Sequence, residues 1–191
     1  MSTAQARHDT LRDEQHVNHV WLARIVAEQR AGRTCLPLHL GLTVRDYDQM
    51  IALHFGKAEP LSDCAHTPGD ESGALREELL ELRRDEWFEL SGLLLSGRRG
   101  REQEEVWLAS IVAAGCLGGN HLWRDLGLAS RLQLRELLTH NFPQLAMRNV
   151  QDMRWKKFFY KQLCEQDGGH VCRAPSCGVC PTYDECYGEE S

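Results

Sequence analysis

The chain has 191 residues, 42% hydrophobic and 26% charged, with a formal net charge of −6. This length suits one domain whose hydrophobic core does not depend on cysteine cross-links. The acidic balance argues against general nucleic-acid binding, which requires a basic surface. No apolar run approaches the roughly 18–20 residues that span a bilayer. The polar N-terminus lacks an apolar signal core, so a cytoplasmic location is expected.

The patterning is helical almost throughout. Val17, Trp21 and Ile25 recur every fourth residue with Leu22 and Val26 beside them, and Gly32 is a stop signal. Thr43 is placed as an N-cap with Asp46 in the first turn. Val44, Tyr47, Ile51 and Phe55 form one apolar face, and Gly56 ends it. Residues 57–73 contain Pro60, Pro68, Gly69 and Gly73 and read as a loop. A long helix is expected over 74–95, with Leu79, Leu80, Trp87, Leu90 and Leu94 facing inward, broken by Ser96-Gly-Arg-Arg-Gly-Arg101. The segment from Glu104 to Leu117 is apolar nearly all round after a charged start, which predicts a central helix ended by Gly118 and Gly119. Ser130-x-x-Gln133 is a capping box. Pro143 fits the first turn of a last helix running to about Cys164. The expected fold is all-α, a single helical domain (1–191) with a helical core over 15–164 and an irregular cysteine-rich metal-cluster loop over 165–188.

The chemistry concentrates in that loop. Of eight cysteines, Cys35, Cys64 and Cys116 are scattered and read as small buried apolar residues. The other five lie in the last 28 residues: Cys164, then Cys172-x4-Cys177-x2-Cys180-x5-Cys186. In a reducing compartment, clustered thiols are metal ligands or redox groups before they are disulfides. A Cys-x2-Cys turn brings two sulfurs onto one centre, and the flanking cysteines can complete the shell. Thiolate suits both iron–sulfur clusters and zinc. Structural zinc sites use paired short knuckles. The single knuckle here, followed by Pro181, is nearer to four-cysteine cluster loops. Spacing alone leaves both metals open. The approach is basic and aromatic: Arg154, Lys156, Lys157 and Lys161 interleave with Trp155, Phe158, Phe159 and Tyr160. The positive charges suit an anionic cluster or an oxyanion, and helical packing accounts for the aromatics.

Three stretches carry a family resemblance: Trp107-Leu-Ala-Ser-Ile-Val-Ala-Ala-Gly-Cys-Leu-Gly-Gly-Asn-His-Leu-Trp-Arg-Asp-Leu-Gly-Leu128, Trp155-Lys-Lys-Phe-Phe-Tyr-Lys-Gln-Leu-Cys164, and Cys172-Arg-Ala-Pro-Ser-Cys-Gly-Val-Cys-Pro181. Together with the 36–55 segment they resemble the NifQ family of nitrogen fixation, over about residues 20–188, and the Cys-x4-Cys-x2-Cys-x5-Cys signature matches without a gap. The resemblance implies a non-enzymatic carrier that supplies molybdenum for the iron–molybdenum cofactor of nitrogenase. It also implies an iron–sulfur cluster on Cys172, Cys177, Cys180 and Cys186, of Mo–Fe–S, 3Fe–4S or 4Fe–4S type. Its implied partners are the cofactor scaffold NifEN and the iron protein NifH, with no nucleic acid and no membrane. His170, His121 and His140 are candidate non-cysteine ligands to molybdenum, and Cys164 is a candidate spare ligand.

Two other readings compete. A zinc-stapled helical interaction protein would use the same cysteines. A DNA-repair enzyme of the endonuclease III type ends in a similar cluster loop, but Gly115-Cys-Leu-Gly-Gly119 is a poor match to its glycine-rich hairpin.

Overall fold

The computed structural model describes residues 3–56 and 68–166, with side chains placed over 17–56 and 72–166. Among these residues the chain is helical and forms no strand. Helix α1 (Thr3–Arg30) buries Trp21, Leu22, Ile25 and Val26, the face its four-residue spacing predicts. It ends where Gly32, at φ 70°, takes the left-handed conformation that suits glycine after a helix. Helix α2 (Val44–Phe55) starts at Thr43, whose hydroxyl accepts from the Asp46 amide at 3.1 Å. Tyr47, Met50 and Ile51 are buried on it. Val44 and Phe55, expected on the same face, are 58% and 40% exposed, so the buried stripe is narrower than predicted.

Two expectations are corrected in the middle of the chain. The loop expected over 57–73 is cut short, because helix α3 (Pro68–Leu82) already begins at Pro68. Proline is tolerated at a first helical position, where the missing N–H has no intrahelical acceptor. Gly73 lies inside α3 and its carbonyl accepts from the Leu38 amide at 3.2 Å; a Cβ there would press on the Leu38 backbone. That glycine serves close packing rather than a loop. The long helix expected over 74–95 is two helices, α3 and α4 (Arg84–Ser96), separated at Arg83 (φ −116°, ψ 27°). The guanidinium of Arg83 bonds the Leu117 carbonyl at 2.8 Å and the Glu86 carboxylate at 2.8 Å, which secures the break. The break changes the facing of α3: Leu90 and Leu94 are buried as expected, but Leu79 is 51% exposed.

Helix α5 (Glu104–Cys116) is the centre of the molecule. Every residue from Ile111 to Cys116 is buried, as are Trp107, Leu108 and Ala109. It packs most extensively on α4 and also meets α2 and the short helix α6 (Leu122–Asp125). Its first turn carries the buried carboxylate of Glu105, which accepts from the backbone amides of Gly100 (2.6 Å), Arg101 (2.9 Å) and Glu102 (3.1 Å). A negative charge at a helix N-terminus is favoured by the helix dipole, and here it also ties down the turn that delivers the chain from α4 into α5.

Helix α7 (Arg131–Asn141) opens with the expected capping box. The Gln133 amide donates to Ser130 Oγ at 3.2 Å, and Gln133 Oε1 accepts from the Ala129 amide at 2.8 Å. The last helix does not begin at Pro143. Pro143 starts a one-turn helix, α8 (Pro143–Ala146), and a turn over 147–154 precedes α9 (Trp155–Gln166). In that turn Asn149 bonds both the amide and the carbonyl of Met153 at 2.9 Å. Asp152 sits at φ 50°, with its carbonyl held by Arg131 at 2.6 Å. Side chains that satisfy the backbone locally compete with helix continuation. Helix α9 buries Trp155, Phe158 and Phe159 and packs on α4, so its aromatics belong to the core, as expected.

Glu105→Gln replaces one of the two accepting oxygens with a donor facing backbone amides. Hydrogen bonds to charged groups contribute roughly 1.5–3 kcal/mol each, so urea unfolding should show a loss of about 2 kcal/mol with little change in helical content.

Candidate metal centre

Cys172, Cys177, Cys180, Cys186 and His170 lie outside the described residues, as does Cys64. What the structure describes is the platform from which the cysteine segment leaves, with the first motif cysteine six residues after α9 ends at Gln166. Among the described residues no three His, Cys, Asp or Glu side chains converge as a metal site.

Cys164 is in the last turn of α9 and partly buried. His121 is at the other end of the same platform. It is the N-cap of α6 and shares a cleft with Trp155, Lys156 and Lys157 of the first turn of α9. Nine residues separate Trp155 from Cys164, about 14 Å along the axis at 1.5 Å per residue. The structure therefore places these two candidate ligands at opposite ends of α9. His140 is elsewhere, edge-on to Trp21 at 5.5 Å and beside Arg99 at 3.2 Å.

Cys116 is a buried thiol of the core, and Cys35 is a partly buried thiol beside it. Burial pushes each up to about 12, far above the ordinary thiol range, so both are neutral at physiological pH. Cys35 Sγ lies 3.7 Å from the Gly115 carbonyl. His39, close to Cys35 in sequence, faces Tyr47 and Glu77 instead. The reading of scattered cysteines as small buried apolar residues holds for Cys116, whereas Cys35 is only partly buried.

The junction between α9 and the segment after α5 is built on one buried carboxylate. Asp125, 1% exposed in its side chain, lies 2.5 Å from the ammonium of Lys156, which also donates to the Gly118 carbonyl at 2.8 Å. Asn120 satisfies the rest of the carboxylate, with its amide at 3.0 Å and its side chain at 3.2 Å. The Asp125 carbonyl accepts from the Cys35 amide at 3.2 Å, which joins the 33–41 connection to the same point. Gly118 passes so close that a Cβ would collide with Cys35 Sγ and the Asp125 carboxylate. Gly118 therefore does more than end α5: it lets three segments meet around one anion.

On the solvent side of this junction is a cleft of about 380 Å³ lined by residues 119–124, Leu134 and residues 154–157. Arg154, Lys156 and Lys157, read from sequence as a basic approach to the cysteines, are brought together here with His121 and Arg124. Arg124 also stacks 4.9 Å from the Trp123 ring. Lys161, one turn further along α9, is instead 3.9 Å from Glu165.

Known proteins share this arrangement of sequence. A profile of the NifQ family matches residues 21–188. The chain is 59% identical to Protein NifQ of Azotobacter vinelandii, with 99% of this chain and 98% of that protein aligned. It is 40% identical to Protein NifQ of Klebsiella pneumoniae, covering 87% and 96% respectively. It is 35% identical to the Protein NifQ homolog of Sinorhizobium fredii, covering 92% and 72%. The chain belongs to the NifQ family. No solved structure matches it significantly. The family match runs through the Asp125–Lys156 junction, the basic cleft and all four cysteines of the motif.

Sequence reasoning does not find Asp125, Arg124 or Asn120 as members of a site. The only signal is their place in the stretch Asn120-His-Leu-Trp-Arg-Asp125, where His121 alone stands out. Lys156→Met would leave the Asp125 carboxylate buried without its counter-charge. Breaking a buried pair from one side costs about 3–5 kcal/mol, and the partial exposure of Lys156 points to the lower figure, about 3 kcal/mol by thermal or urea unfolding. The double variant Asp125→Leu with Lys156→Met should recover more than half of that loss.

Proposed function

We propose that this protein carries a molybdenum-containing iron–sulfur cluster on Cys172, Cys177, Cys180 and Cys186, and donates molybdenum to assembly of the iron–molybdenum cofactor of nitrogenase. The observation that carries the reading is family membership across 21–188, the span that includes the whole four-cysteine motif. It works as a carrier and not as an enzyme: the chemistry required is ligand exchange at a metal. It is a single cytoplasmic domain, a helical core over 15–164 with a cluster-binding segment over 165–188, and its partners are the scaffold NifEN and the iron protein NifH.

The donor set suits this task. Thiolates are soft ligands that hold iron–sulfur centres, and four of them within fifteen residues can close around one cluster. Three thiolates holding the irons would leave the fourth position to bind and release molybdenum. The helical core has its own buried aromatic and aliphatic side chains on α1, α4, α5 and α9, so folding does not wait for the metal. A carrier that must empty and refill benefits from that separation, because loss of cargo does not unfold the carrier.

Anaerobically purified protein is expected to contain iron and acid-labile sulfide and to absorb broadly in the visible. Cys177→Ala and Cys180→Ala should each lose the cluster and molybdenum donation while far-ultraviolet circular dichroism stays unchanged. Stoichiometric zinc without iron in the parent, or donation by either variant at the parent's level, would overturn the reading.

A further inference from the structure

Helix α9 is seated differently along its two halves. In the first half Trp155, Phe158 and Phe159 are buried in the core, and Lys156 is pinned to Asp125 and the Gly118 carbonyl. Past Phe159 the packing thins. Gln162 is the buried residue of that half, and Leu163 is only partly buried. Gln162 donates to Glu165 of the same helix at 2.8 Å, and Lys161 lies 3.9 Å from the same carboxylate. Contacts that stay within the helix cannot set its rotation.

A chain of polar bonds does so instead. The Tyr160 hydroxyl donates to Glu86 Oε1 of α4. Glu86 is held from its other side by Arg83, Nε to Oε2 and Nη2 to Oε1, both at 2.8 Å. The remaining guanidinium nitrogen donates to the Leu117 carbonyl, just past the end of α5, at 2.8 Å. Paired arginine–carboxylate bonds fix orientation as well as distance. Tyr160 is thus tied through oriented groups to the end of the central helix. Burial, and then the Glu86 carboxylate, push the Tyr160 hydroxyl above its ordinary range, which keeps it a donor. A phenylalanine would fill the same space without desolvating a hydroxyl and a carboxylate. The polar contact costs solvation and returns a defined direction.

Helical spacing gives this contact its consequence. Tyr160 and Cys164 are four residues apart, neighbours on one face of α9. The helix ends at Gln166, six residues after Tyr160 and about 9 Å further along the axis at 1.5 Å per residue. Cys172 follows after six more residues. Metal exchange between two proteins needs donor and acceptor groups brought together in a set orientation.

We propose that Tyr160 is a positioning residue for metal transfer: acting through Glu86, it fixes the rotation of the second half of α9 and thereby the side on which the cysteine motif meets its acceptor. This rests on the function proposed above and adds a residue outside the thiolate set.

The test uses the full-length protein, purified anaerobically. Tyr160→Phe should keep the parent's iron, sulfide and molybdenum content, yet supply molybdenum to nitrogenase cofactor assembly about tenfold more slowly, the size expected for one lost hydrogen bond to a charged group. Amide exchange should show protection reduced about tenfold over residues 161–166 and unchanged in α7. Glu86→Leu should slow transfer at least as much. The double variant should be no slower than Glu86→Leu alone, as for two groups that act as one. Glu86→Gln keeps an acceptor for the hydroxyl and should transfer faster than Glu86→Leu. Asp85→Asn, exposed beside Glu86 and outside the chain of bonds, should behave as the parent. Parent-rate transfer by Tyr160→Phe, additive slowing in the double variant, or metal content that falls in step with transfer would overturn the proposal. So would protection lost equally in α7, which marks general destabilisation. A parent without iron and sulfide would overturn the function proposed above instead, and amide exchange would still report on the Tyr160–Glu86 contact.

Discussion

The ammonium of Lys156 and the carboxylate of Asp125 meet 2.5 Å apart where the last helix, the end of the central helix and the 33–41 connection come together. A carboxylate 1% exposed is tolerated in such a place only when it is paired and fully hydrogen-bonded. Asn120 and Lys156 between them meet that condition. The consequence is geometric. With Lys156 fixed, Trp155, Phe158 and Phe159 seat on the core, and the neighbouring Arg154 and Lys157 line the cleft. The direction in which α9 leads towards the cysteine segment follows from the same contact.

The protein thus divides its tasks. The core is an ordinary helical one, with α5 buried nearly all round and α4 and α9 packed about it. Its buried thiol Cys116 and the partly buried Cys35 are kept neutral by desolvation. The cysteines proposed to bind metal are segregated at the end of the chain, beyond a helix that the core holds in place.

Much of this is legible in the sequence where one physical signal dominates. The four-residue apolar spacing of Val17, Trp21 and Ile25, the Thr43 and Ser130 caps, and the apolar run from Trp107 each appear as read. Where two signals compete, the sequence misleads. The 74–95 pattern has no glycine or proline near Arg83, and the break there is held by a long-range bond to Leu117 that no local pattern encodes. Pro143 is compatible with a helix start, but Asn149 and Asp152 redirect the backbone before that helix can extend. The metal motif is the most legible feature as spacing and ligand type, because four soft donors at short intervals need little context. The cleft is only half legible. Its lysines and arginine around the start of α9 stand out as a basic run, whereas Asp125 looks like part of an ordinary turn until a partner 31 residues away gives it a role.

The central claim is that molybdenum in this protein resides in a sulfur-ligated cluster with iron. X-ray absorption at the molybdenum edge, on protein isolated anaerobically with its metal, tests this most directly. Sulfur is expected as the main nearest neighbour of molybdenum, with iron scattering beyond it. Oxygen alone as nearest neighbour, with no iron beyond, would contradict the claim.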